Sequence, residues 1–283
     1  MNGKVVVITG GTSGIGQVAA EKLAATGARI VLVARDTVRA EAALASLRRI
    51  APSVAPSAYF ADLSKIEAVK QVAREIAAAE PRIDVLINNA GAMFYDRQVT
   101  VDGLERTFAT NHMAYFLLPL GLRQPLLAAA PARVISTSSE AHRRGKLDFD
   151  DLQCTKNYRA FTAYGNSKLC NILFTRELAR QWAGIGITAN CLHPGFVNTR
   201  FGDGGHGALS AVFSIAKNFA LTPEQGAKTI VYLASSPEVA DVSGEYFIKC
   251  ARATPTKNAQ DDNAARRLWE ETARLARLEK TGI

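Results

Sequence analysis

What this sequence has little of narrows its roles first. Its four cysteines, Cys154, Cys170, Cys191 and Cys250, form no C-x-x-C pair, so the usual zinc and dithiol signatures are missing. They read as reduced thiols of a cytoplasmic protein. No charge-free apolar stretch reaches the roughly 18 residues that suggest a membrane span. The apolar run AYFLLPLGL (114–122) is short and carries Pro119. The opening MNGKVVVITGG takes on strand character at about Lys4, which predicts no signal peptide. Long basic runs are missing too. Lys and Arg number 34 against 26 Asp and Glu, giving +8. The densest spots are only pairs: Arg48-Arg49, Arg143-Arg144 and Arg266-Arg267. Such a balance suggests no nucleic-acid partner and suits a small polyanionic ligand. No two of the histidines share metal-ligand spacing, and no G-x-S-x-G marks a hydrolase.

What is present is ordinary globular material: 283 residues, 48% hydrophobic and 21% charged, enough for a sizeable core. Strand and helix patterns alternate. VVVIT (5–9) is a continuous β-branched run, the mark of a strand covered on both faces. A helix follows from Ile15 to about Thr26, stopped by Gly27. Further strands are expected at 29–34, 57–60, 83–88, 133–138, 186–193 and 244–249. Helices are expected at 36–50, 64–80 (capped by Ser64 and ended by Pro81), 101–130, 160–183 and 262–280. Alternation of this kind predicts an α/β fold: a doubly wound parallel sheet of about seven strands, with right-handed crossovers and helices on both faces. No repeat or linker interrupts it, so residues 1–283 read as one domain. Pro119, Gly121 and Pro125 predict a kink within 101–130.

Two motifs carry chemistry. TGGTSGIG (9–16) lies between the first strand and first helix. Gly10 permits a tight turn, Gly14 lets backbone approach a phosphate, and Gly16 lets helix and strand pack closely. The helix N-terminus offers free N–H groups to a pyrophosphate. At the end of the second strand, Ala34 stands about where an acidic residue would bind the ribose 2′-hydroxyl of NAD. Arg35 follows it and suits a 2′-phosphate, so NADP(H) is favoured over NAD(H). The second motif is YGNSK (164–168). Tyr164 and Lys168 share a helix face. A cation there is expected to lower the phenol's pKa from about 10, so that it exchanges protons near neutral pH.

With these in place the chain resembles the short-chain dehydrogenase/reductase superfamily over nearly its whole length. TGGTSGIG resembles the cofactor turn, in which Gly10, Gly11, Thr12, Ser13, Gly14, Ile15 and Gly16 are candidate cofactor ligands. Asp62-Leu63 resembles the pair contacting adenine. NNAG (Asn88, Asn89, Ala90, Gly91) resembles the motif beside the cofactor ribose. PGFVNT (194–199) resembles the segment holding the nicotinamide, through Pro194, Val197 and Thr199. Asn111 and Ser139 fall where the family places catalytic Asn and Ser residues. STSSEAH (136–142) and AYGNSKLCNILFTRELA (163–179) are most similar to the retinol dehydrogenase-like branch.

The resemblance implies hydride transfer between nicotinamide and a carbonyl or alcohol carbon. Tyr164 would be general acid/base and Lys168 its electrostatic partner and a ribose ligand. Ser139 would hydrogen-bond the substrate oxygen, and Asn111 would fix a water linking Lys168 to solvent. The irregular segments 141–160 and 200–220 are expected to form the pocket, for a lipophilic aldehyde or ketone. His142 is a candidate lining residue; His112 and His193 read as structural. The central helix often forms subunit interfaces in the family, so a homo-oligomer is possible. Two rivals remain. One is a non-catalytic NADP-binding regulator of the same fold. The other is an epimerase or dehydratase, for which the chain beyond Lys168 is too short.

Overall fold

The computed structural model describes residues 1–195 and 221–278. Eight strands form one sheet in the order β3-β2-β1-β4-β5-β6-β7-β8. They are β1 (Val5–Thr9), β2 (Arg29–Ala34), β3 (Ser57–Phe60), β4 (Val85–Asn88), β5 (Ala132–Thr137), β6 (Ile187–His193), β7 (Tyr246–Ile248) and β8 (Ala251–Arg252). The first seven pair in parallel, and β8 returns antiparallel to β7. About seven strands are expected from the sequence; the eighth is a two-residue hairpin arm. Its turn puts Lys249 and Cys250 at φ 50° and 63°. A lysine and a cysteine carry no signal for that left-handed turn, where Asn or Gly would.

The helices are α1 (Gly14–Ala24), α2 (Thr37–Ile50), α3 (Ile66–Ala79), α4 (Arg106–Phe108), α5 (Ala114–Gly121), α6 (Arg123–Ala128), α7 (Ala160–Gln181), α8 (Pro223–Ser235) and α9 (Asp262–Leu275). A π-helical turn, Ala109–Met113, joins α4 to α5. Two apolar layers result. Ile8, Leu23, Leu32 and Ile230 pack on one face of the sheet. Val7, Ile76, Phe116, Leu173 and Trp269 pack on the other. Strands buried on both faces explain the unbroken apolar run of β1.

Three helix expectations need correction. The stretch 101–130 is not one helix: it begins at Arg106, widens through the π turn and breaks at Leu122, between Gly121 and α6. The residues before it pair instead as a small bridge, Val99 with Glu105. Ser64 does not cap α3, because its hydroxyl donates to Asp62 at 2.7 Å; the backbone N–H of Ile66 is taken by the Asp102 carboxylate at 2.9 Å. The terminal helix ends at Leu275, and residues 279–280 of its expected span lie outside the described residues.

Strand order reverses between β1 and β4, which opens a crevice above their carboxyl ends. In sheets of this kind ligands bind at that switch point.

Candidate active site

The crevice floor is the turn after β1. Gly10 has φ +67°, and a Cβ there would meet the Ala90 Cα at 2.9 Å. At Gly16 a Cβ would lie 2.2 Å from the Gly10 carbonyl oxygen. Turn and helix are therefore in direct backbone contact. Ser13, the N-cap of α1, makes no side-chain cap, and the first turn holds no acidic residue. Its N–H groups face the crevice with the positive end of the helix dipole, a fitting seat for a pyrophosphate.

The β4 loop locks onto this turn. The Thr9 hydroxyl accepts from the Asn89 and Ala90 N–H groups at 2.9 and 3.0 Å. The Asn89 amide donates to the carbonyls of Thr9 and Gly10 at 3.2 and 3.3 Å. Tyr115 donates its hydroxyl to the Ala90 carbonyl at 2.9 Å. Asn88 is fully buried, and its amide donates to the Tyr115 carbonyl at 3.2 Å. That carbonyl would ordinarily bond the N–H four residues on, but residue 119 is proline and has none. Pro119 thus frees the acceptor that Asn88 uses.

Arg35 and Asp62 stand at the same sheet edge, beyond β2 and β3. Arg35 is exposed and makes no ion pair among the described residues. Its neighbour Asp36 is engaged elsewhere: it caps α2 through the Arg39 N–H at 2.9 Å and lies 3.7 Å from the Arg39 guanidinium. Asp62 accepts from the Ser64 N–H and hydroxyl; burial raises its carboxyl, but these two bonds and the nearby charges of Lys65 and Arg106 hold it below the usual range.

On the other side of the crevice α7 presents Tyr164 and Lys168. Lys168 is buried, donates to the Thr137 carbonyl at 3.1 Å, and lies 5.6 Å from the ring centres of both Tyr115 and Tyr164. A Cβ on Gly91 would sit 3.2 Å from its Nζ and 3.4 Å from Asn111 Oδ1. A side chain at 91 would crowd the lysine amine and the Asn111 amide, so the β4 loop runs close against both. Burial pushes Tyr164 up to about 12, opposed by a hydrogen bond with Ser139. Burial also pushes Lys168 down to about 8. A cation at 168 is expected from the sequence to lower the phenol; here burial of the hydroxyl dominates and the shift is upward.

Ser139 follows β5. Its hydroxyl accepts from the Ala141 N–H at 3.2 Å, as a turn cap, and also reaches Tyr164. Asn111, in the π turn, exchanges two bonds with the Ala92 backbone at 2.8 Å and donates to Ser167 at 3.0 Å. Its side chain ties the β4 loop to α7.

His142 does not line the crevice. It is fully buried, with Nδ1 2.7 Å from the Ser139 carbonyl and its ring edge-on to Tyr246. His193 accepts from the Glu140 N–H at 3.2 Å, a structural role. Pro194 follows β6, whereas Val197, Thr199 and the segment 200–220 lie outside the described residues. The segment 141–160 is tied down: Tyr158 donates to the Phe94 carbonyl at 2.6 Å, and Glu105 N–H donates to Gln153 at 2.7 Å. Thr9, Tyr115 and Ser167 are not singled out by the sequence. Each reads there as a strand or helix residue, and only the positions of Thr9 before Gly10 and Ser167 beside Lys168 hint otherwise.

The open end of α1, with its uncapped N–H groups, suits the pyrophosphate of a dinucleotide. The comparisons agree with that fit. A family model described as short chain dehydrogenase matches residues 4–204. Human retinol dehydrogenase 13 is 41% identical, over 99% of this chain and 87% of that protein. Human retinol dehydrogenase 14 is also 41% identical, over 95% and 85%. Among solved structures, an uncharacterised protein from Mycobacterium paratuberculosis superposes with a TM-score of 0.77 at 30% identity, covering 98% of this chain and 95% of that one. A short chain dehydrogenase from Burkholderia cenocepacia J2315 in complex with NADP gives 0.70 at 26%, covering 87% and 96%.

Proposed function

This chain belongs to the short-chain dehydrogenase family and is an oxidoreductase acting on an alcohol or carbonyl group; from that premise we propose that it moves a hydride between NADP(H) and a lipophilic aldehyde or ketone, with Tyr164 as general acid/base. The observation that carries this reading is the position of Lys168. One buried amine lies beside the Tyr164 ring and against the Gly91 backbone, so it serves both the proton donor and the cofactor loop.

A nicotinamide held there supplies or accepts the hydride. The residues holding the dinucleotide would be the 10–16 turn, Asp62-Leu63, Asn88–Gly91 and Lys168, with Pro194, Val197 and Thr199. Hydride arrival at a carbonyl carbon builds negative charge on oxygen. Tyr164 donates its proton to that oxygen, and Ser139 donates a hydrogen bond. A phenol at about 12 is fully protonated at neutral pH, the state that reduction needs. In the oxidative direction it must lose the proton, and the Lys168 ammonium favours the resulting phenolate. Asn111 keeps the β4 loop and α7 in register.

Arg35 supports NADP(H) because Asp36, the carboxylate that would oppose a 2′-phosphate, is held by α2 and Arg39. The names of the relatives support a lipophilic substrate, with 141–160 and 200–220 as pocket segments of one domain. The free cysteines support a cytoplasmic setting. No described helix is long and apolar enough to cross a membrane.

Turnover with NADPH and NADH against octanal, medium-chain ketones and retinal tests the reading. Preferential NADPH-linked reduction is expected. Arg35→Asp should raise the KM for NADPH about tenfold or more, as loss of a charged hydrogen bond predicts, and leave that for NADH little changed. Tight NADPH binding with no turnover of any carbonyl would favour the regulatory alternative.

A further inference from the structure

Behind Lys168, on the side away from the crevice, lies a buried polar chain with no part in the proton transfer above. Asn171 is one turn further along α7 and fully buried. Its amide donates to the Thr137 carbonyl at 3.2 Å, the same oxygen that accepts from Lys168 at 3.1 Å. Two donors therefore fill the two lone pairs of one carbonyl. His112, adjacent to Asn111 in the π turn, is also fully buried, and its Nε2 lies 3.0 Å from the Thr272 hydroxyl of α9. His112 Nδ1 and Asn171 Oδ1 are both buried with no hydrogen-bond partner among the described residues, a donor and an acceptor left unmatched, and the Asn171 amide is the polar group bearing on the imidazole.

The two adjacent residues of the π turn thus meet α7 in two places. Asn111 bonds Ser167, and the His112 ring meets the Phe174 ring edge-on at 6.1 Å, one turn along α7 from Asn171. Lys168 lies between these rungs in the α7 sequence. A π turn is a common device for directing neighbouring side chains at functional sites.

We propose that Asn171, oriented by His112 and through it by Thr272, is a positioning residue that fixes the direction of the Lys168 ammonium. This rests on the hydride-transfer reading. The unmatched His112 Nδ1–H and Asn171 Oδ1 complement each other as donor and acceptor, and their pairing turns the Asn171 amide N–H toward the Thr137 carbonyl. With one lone pair occupied, Lys168 is confined to the other, on the side of the Tyr115 and Tyr164 rings. Without Asn171 the carbonyl offers both positions. The lysine then swings away from Tyr164 and supports its phenolate less.

The test is oxidation of retinol and 1-octanol with NADP+, measured against pH. Asn171→Leu, similar in volume but without hydrogen bonds, should lower kcat about ten- to a hundredfold, as small misplacements do. KM should stay within about threefold. The acid-side limb of the profile should move up by about one pH unit, as expected when a cation withdraws from a phenol. His112→Phe should act in the same direction, and His112→Gln, whose amide can bridge Asn171 and Thr272, should restore most of the rate. If Asn171→Leu does not fold, the His112 pair decides. A lowered melting temperature with an unmoved limb and unchanged kcat would make the chain merely structural and overturn the inference. So would equal loss in His112→Gln and His112→Phe. A wild-type protein inert toward every substrate would remove the hydride-transfer reading and this role with it; an active wild type abolished by Lys168→Met but indifferent to Asn171→Leu would remove this role alone.

Discussion

At the residue scale, Tyr164 and Lys168 are displaced in opposite directions by one cause. Burial penalises whichever form is charged, so the phenol rises to about 12 and the ammonium falls to about 8. Tyr164→Phe should lower carbonyl reduction about 10²- to 10⁴-fold, the usual worth of a positioned acid, while leaving NADPH affinity in a fluorescence titration nearly intact. Lys168 should put an alkaline limb on the reduction rate near pH 8, where it loses charge. The same burial costs stability. At pH 7 the lysine is protonated both folded and unfolded, so the penalty is fully present; it disappears as pH rises from about 8 to the ordinary lysine value. Lys168→Met should therefore abolish activity and raise stability at pH 7 by about 3 kcal/mol, the equivalent of the downward shift. Urea unfolding at pH 7 and pH 10 checks this, with the gain expected to shrink at the higher pH. That Tyr164 and Lys168 share a helix face was readable from YGNSK; the proposed catalytic role needed the glycine turn and the other motifs beside it. The sign of the tyrosine's shift was not readable, because desolvation depends on what lies above the hydroxyl rather than on the residue four places along.

At the element scale, the helix bearing Asn111 begins on a buried carboxylate. Glu105 is nearly inaccessible and accepts from the Thr107 and Phe108 N–H groups at 2.7 and 2.8 Å. Capping by an acid at a helix start is favourable both as a hydrogen bond and against the dipole. Glu105→Ala should cost about 1–2 kcal/mol, read as a lower denaturant midpoint with unchanged slope. Sequence patterning located most strands and long helices here to within a residue or two. It missed the division of 101–130, since π turns leave no periodic mark and the short bridge before α4 is made by Val99 and Glu105, ordinary residues. It recognised that Pro119 disturbs the helix, but the consequence, a carbonyl released to Asn88, depends on a strand far away in sequence.

At the scale of the whole molecule, α9 closes one layer of the fold. Trp269 stacks on Phe174 at 5.9 Å and meets Phe116 edge-on at 4.9 Å. Trp269→Ala should cost about 3–5 kcal/mol and lower the melting midpoint accordingly. The tertiary core also holds two histidines neutral, His112 at about 3 and His193 at about 4. An unfolded chain protonates both near 6.5. It therefore binds more protons than the native state below that pH, and stability should fall as pH drops from about 6.5 toward 4. Midpoints measured at pH 7, 5.5 and 4.5 should decline in that order; a flat series would contradict the burial of these rings.

The sequence by itself determined the alternation of strand and helix, the glycine turn, and the placing of Tyr164 and Lys168 on one helix face. These depend on side-chain period, backbone freedom and near-neighbour spacing, all local quantities. Only the tertiary structure decided which face of α7 meets the π turn, that Thr9 and Tyr115 lock the loops, and that Lys168 shares its carbonyl with Asn171. Those pairings join residues that are distant along the chain, and their energies come from water excluded by the packed fold.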